Sequence, residues 1–225
     1  MPVLVDMHIY REVLNSLRLA LKAKFFGMAV GIFLVVTLVT LLSAHFGGRQ
    51  PLTVALDVGF SIIRLLLPLL IVLLAQELLS REFDRRYYLN SLSYPRARSR
   101  MLLGRFVAML ALLLGMLLVL SFLQIGLVGF LGGIYLQATP VDMGQPYLIV
   151  MAFFAFDLLV LAALATLLAV TASTPSFVLI GTFGFMLVAR SYGAIIDLLS
   201  GDIGLVGNVE GYRASLGLLG YLLPD

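Results

Sequence analysis

Three ionisable residues stand where an ionisable residue is costly. Arg64, Asp157 and Arg190 each lie inside a long apolar run. An unpaired charge near a bilayer centre costs about 2.5–3.5 kcal/mol or more. Residues of these types at such depth either pair, which fixes helix register, or line a polar path. At ~1.5 Å per helical residue, Arg64 and Asp157 lie roughly 15 Å from the starts of their runs and Arg190 about 20 Å from the start of its own. The depths overlap, so Asp157 is expected to pair with Arg64 or Arg190 in an intramembrane polar network. Asp57, Asp197 and Asp202 fall near run ends, where water reaches them.

Covalent chemistry finds little to work with. The chain has no cysteine and two histidines, His8 and His45, both at the edges of apolar runs. That leaves no thiolate metal site and no base close to a membrane serine. No His/Asp/Glu cluster has metal-ligand spacing. The lysines are Lys22 and Lys24, and neither closes a phosphate-binding G-x-x-x-x-G-K-[ST] loop. The chain is therefore read as no enzyme and as holding no metal or cofactor of its own.

Composition says what positions the charges. Of 225 residues, 61% are hydrophobic and 12% charged, where a soluble domain carries about 25% charged residues. Mean hydropathy is +1.08. Apolar runs are continuous and about twice the ~10-residue alternating strands of a membrane barrel. The expected fold class is an all-α integral membrane protein, a bundle of five predicted transmembrane helices with an N-terminal interfacial helix. The spans are read at about residues 25–46, 54–79, 101–123, 147–171 and 176–199, the third with a continuation towards Leu131. Each has the ~20 residues that cross ~30 Å of hydrocarbon. Pro68 is expected to kink the second. Gly27-x-x-x-Gly31 and Gly129-x-x-x-Gly133 have the spacing of close helix packing.

Basic residues set the orientation. Four lie before the first span and seven between Arg81 and Arg105; the stretch "GGIYLQATPVDMGQPY" before the fourth span has none. Eleven of the fifteen thus fall on one side, which the positive-inside rule makes cytoplasmic. The net charge of +3 is explained in the same way, without a nucleic-acid partner. Residues 1–24 lack the apolar core of a cleavable signal. There "HIYREVLNSLRLALKAK" places Ile9, Val13, Leu17 and Leu21 near one face, with Arg11, Asn15, Arg18 and Lys22 elsewhere. That pattern suits an amphipathic helix lying among membrane lipids. The transmembrane region is read as 25–225, its external segment 200–225 too short in apolar length to cross again.

Between the second and third spans runs "SREFDRRYYLNSLSYPRARSRMLLGRF". Pro95 restricts Tyr94 and breaks a helix. Ser99 is placed to cap the third span. Tyr87, Tyr88, Leu89, Leu92 and Tyr94 add aromatic and aliphatic surface among arginines, the residue types enriched at interface centres. The same pattern fits an ordinary positive-inside loop with an interfacial tyrosine belt.

These residues resemble the cytoplasmic connection of type-2 ABC transporter permeases. Glu82 matches the family's opening glutamate, Leu89 and Leu92 its leucines, Pro95 and Arg98 its Pro-x-x-Arg, and Gly104 with Arg105 its closing pair. Arg86 and Tyr87 stand where many members carry Gly-Thr. The motif covers about 25 residues, although the order of elements agrees over most of the chain. The resemblance implies a cytoplasmic coupling helix within 80–100, with Glu82, Arg85, Arg86, Leu89, Leu92, Pro95 and Arg98 contacting a cytoplasmic ABC ATPase that binds ATP and Mg. It further implies a second permease subunit, identical or related, a path lined by the second and fifth spans, export as the direction, and the bacterial cytoplasmic (inner) membrane with the N-terminus inside. The family usually has six spans, so a sixth is expected beyond Asp225. The alternative is a non-transporting membrane anchor or regulatory subunit that recruits a cytoplasmic protein through the same surface. An ion-coupled transporter would favour more mid-membrane carboxylates and inverted repeats.

Overall fold

The computed structural model describes residues 13–18, 25–80, 98–135, 141–172 and 174–201, and all regular structure among them is helical. Five long helices follow in order: α1 Phe26–Phe46, α2 Pro51–Ala75, α3 Arg98–Gly132, α4 Gln145–Thr171 and α5 Pro175–Gly201, with a π-helical segment, Gln76–Ser80, continuing α2. Among the described residues, four helical stretches are long and apolar enough to cross a membrane: Phe26–Phe46, Pro51–Leu78, Leu102–Gly132 and Gln145–Thr171. The fifth expected span lies on α5, whose apolar stretch among the described residues, Ser176–Tyr192, is shorter.

Burial explains the arrangement. α2 packs against α1, α3, α4 and α5, and half of its most apolar stretch is buried, against 17% for α1. Its inward residues Ile63, Leu67, Leu70, Ile71 and Leu74 meet Met109, Leu113 and Leu120 of α3 and Leu158, Leu161 and Ala165 of α4 in one core. The outward faces are as apolar as the core: Phe26, Leu38, Phe122, Leu148 and Ile180 are all exposed. Apolar residues on both sides of a helix mark a bundle whose solvent is lipid. Several hydroxyls on these helices bond to their own backbone, as Thr37 does to Phe33, Ser61 to Asp57, Thr166 to Ala162 and Ser191 to Leu187, which keeps those hydrogens from hydrocarbon.

The α1–α2 turn needs its glycines. Gly48 has φ of 55°, and a Cβ on Gly47 would meet the Pro51 Cα at 2.6 Å. Pro51 then opens α2, where its missing N–H costs nothing. The glycine pairs picked out by spacing behave differently. Gly27, Gly31 and Gly129 have open space where a Cβ would stand. The close approaches are at Gly59, beneath the amide of Gln124, and at Gly181, where a Cβ would come within 2.7 Å of Leu168 Cδ1. The side chain opposite, which spacing does not reveal, decides where glycine is required.

One boundary also differs from expectation. α3 is one 35-residue helix that begins by Arg98 and carries through to Gly132. Ser99 thus sits inside it rather than capping it; nothing from Arg98 onward breaks a helix. At the N-terminus residues 13–18 are helical. Leu17 packs on the main core while Asn15 and Arg18 are exposed. The rest of 1–24, and 202–225, lie outside the described residues.

Candidate functional site

Three adjoining helices bring Arg64, Asp157 and Arg190 together. α2 carries Arg64, α4 carries Asp157 and α5 carries Arg190, and the three helices pack pairwise. Arg190 Nη2 lies 3.3 Å from Asp157 Oδ2 and donates to the Arg64 carbonyl oxygen at 2.9 Å. That carbonyl is free for a simple reason. Its helical partner would be the N–H four residues on, and that residue is Pro68, which has none. The proline expected as a kink thus creates an acceptor deep in the bundle, and an arginine from another helix fills it.

The Arg64 side chain takes a different path. Its guanidinium carbon stands 5.7 Å above the Phe154 ring. Cation–π attraction of this kind contributes about 0.5–2 kcal/mol. Its Nε is buried without a hydrogen-bond partner among the described residues. Aromatic rings continue from there along α4 and α2: Phe154 packs edge-on to Phe60, and Phe60 against Tyr147, each at 5.7 Å. The Tyr147 hydroxyl donates to the Ser121 carbonyl at 2.8 Å. The network is thus stopped at one end by packed rings, while Asp157 and Arg190 keep 30% and 27% of their side chains exposed.

A second polar contact lies at the opposite end of the bundle from the Gly47–Gly48 turn. Arg105, 8% exposed, donates from Nη1 to the Leu78 carbonyl at 2.8 Å. Leu78 belongs to the π-helical segment, a helical form that recurs at functional positions. Gln76 and Glu77 in the same segment are engaged as well. The last turns of α2 and the first of α3 are therefore tied together where the chain leaves one and enters the other.

Gln124 escaped the sequence reading. It is fully buried, donates from Nε2 to Thr40 Oγ1 at 3.3 Å, and rests on Gly59. One amide thereby joins α1, α2 and α3. A single glutamine in "SFLQIGL" was the available signal, since a polar side chain in an apolar span seeks a partner helix.

The remaining residues of the expected coupling surface, Glu82, Arg85, Arg86, Leu89, Leu92 and Pro95, lie outside the described residues, and Arg98 is described only as the first residue of α3. Compared with protein-family models, curated proteins and solved structures, the chain matches none.

Proposed function

We propose that this chain is the membrane permease subunit of an ATP-driven ABC exporter, worked by a separate cytoplasmic ATPase through the connection between α2 and α3. The observation that carries the reading is the Arg105–Leu78 tie at the base of that connection. A coupling segment transmits force only if the helices on either side answer together. A buried hydrogen bond from a guanidinium, about 1.5–3 kcal/mol, holds those helix ends at one separation. The expected contact residues, Glu82 to Arg98, fall within or at the edge of the stretch this tie brackets.

In this reading α5 is a fifth span, the N-terminus is cytoplasmic, residues 13–18 belong to an interfacial helix, and two permease subunits meet two ATPases in a bacterial cytoplasmic membrane. The ATPases bring ATP and Mg. The resemblance to type-2 permeases gives the path to the second and fifth spans, which here are α2 and α5, the helices that carry Arg64 and Arg190. Ionisable groups at such depth support a polar route.

The test is co-expression with the ATPase encoded nearest to this chain, followed by purification in detergent. A stoichiometric complex whose ATP hydrolysis rises on assembly is the expected result. A complex without stimulation points to the anchor alternative, and a chain that captures no ATPase contradicts the proposal.

A further inference from the structure

The intramembrane network does not balance. It holds two guanidinium groups, Arg64 and Arg190, and one carboxylate, Asp157. The other acidic residues whose side chains are described are Asp57, Glu77 and Asp142, and Asp197 lies seven residues beyond Arg190 on α5, about 10 Å along the axis. Asp57 is seven residues from Arg64 on the same helix, about 10 Å along the axis, and Glu77 thirteen residues, about 20 Å. Asp142 precedes α4 and accepts from the Gly144 N–H. Asp157 is spent on Arg190, and Arg64 keeps a buried N–H without an acceptor. Among the described side chains, one positive charge and at least one donor are left over.

A planar guanidinium that keeps an unsatisfied N–H in low dielectric suits an oxyanion, which can accept two parallel hydrogen bonds and cancel the charge. The surroundings restrict what carries it. Phe154, Phe60 and Tyr147 close the network along its ring-packed side. The open edge, at Asp157 and Arg190, is flanked one helical turn away by the exposed side chains of Phe153 and Leu187. An anion reaching this edge passes over apolar surface.

We infer that Arg64 and Arg190 form a binding site for the oxyanion head of an amphiphile, a phosphate or carboxylate on an apolar body, with Asp157 as the internal counter-charge that holds Arg190 in place. This deepens the transport reading by naming the class of cargo, and it is measured without any ATPase. Loss of ATPase coupling with binding intact sinks only the transport reading; loss of binding with coupling intact sinks only this one.

The experiment measures radiolabelled dodecyl phosphate on the purified full chain in dodecyl maltoside. Saturable binding is expected, displaced by unlabelled dodecyl phosphate and not by dodecyltrimethylammonium. Arg64→Gln weakens it about tenfold, the loss of one charge-assisted contact. Arg64→Lys keeps part of the affinity, and Asp157→Asn binds at least as tightly as wild type, because the competing charge is gone while the Arg64 carbonyl still holds Arg190. A purely structural role for Arg64 would not reproduce that ordering. Displacement by inorganic phosphate at similar concentrations keeps the oxyanion site and assigns it to a free anion; its failure to displace assigns it to the amphiphile. Equal affinity of Arg64→Gln and wild type, or equal displacement by the cationic amphiphile, overturns the inference. Should Arg64→Gln not elute as a single species, the cation competition and Asp157→Asn decide it.

Discussion

The carbonyl oxygen of Arg64 accepts a hydrogen bond from Arg190 Nη2 at 2.9 Å, and Pro68, four residues further along the same helix, is the reason it can. A helix-interior proline costs about 3 kcal/mol, part of it as the orphaned carbonyl. Here the orphan becomes the anchor for a guanidinium, which also faces Asp157.

Pro68 and Arg190 should therefore be energetically coupled. Pro68→Ala supplies the missing N–H, so Arg190→Leu is expected to cost less in that background than in wild type. A double-mutant cycle on detergent unfolding should give a coupling on the order of 1 kcal/mol. Additive effects would mean that the carbonyl freed by proline is not what Arg190 serves.

Asp157→Asn leaves Arg190 without the carboxylate it pairs with. Because both partners of the pair are partly exposed, the expected destabilisation is moderate, about 1–2 kcal/mol, read as a lowered Tm in neutral detergent. Arg190→Lys should recover less than half of an Arg190→Leu loss, since one ammonium replaces a fork that serves two acceptors.

Gly59→Ala drives a methyl group into the Gln124 amide. The expected loss is about 1–3 kcal/mol, typical of overpacking. Adding Gln124→Ala to Gly59→Ala should restore a large part of it, whereas Gly27→Ala, which faces open space, should be nearly neutral. Thermal unfolding of the three variants beside wild type checks the set.

How much of this was legible in the sequence depends on whether the signal was one-dimensional. Run length and hydropathy predicted the helices, because a bilayer constrains both. Depth counting along separate runs was enough to expect Asp157 beside an arginine. It could not choose between Arg64 and Arg190, since that choice depends on how α4 and α5 rotate against α2. The four-residue step from Arg64 to Pro68 was visible but gains meaning only when a donor from α5 arrives. Gly59 was invisible for the same reason: its partner is sixty-five residues away on α3. Glycine spacing within one helix pointed instead to Gly27, Gly31 and Gly129, which have open space around them.

Orientation has a clean test, because the chain contains no cysteine. Ser93→Cys should react with a membrane-impermeant maleimide only after permeabilisation, and Thr139→Cys in intact cells. The reverse pattern would put the basic connection on the outside and remove any ATPase from its reach.

The most direct measurement of the central claim is ATP hydrolysis by the partner ATPase assembled with wild-type chain or with Glu82→Ala, Leu89→Ala and Arg98→Ala. In the proposed reading each substitution lowers stimulated hydrolysis several-fold while the chain remains folded and in the membrane. Stimulation at the wild-type level in all three would contradict it.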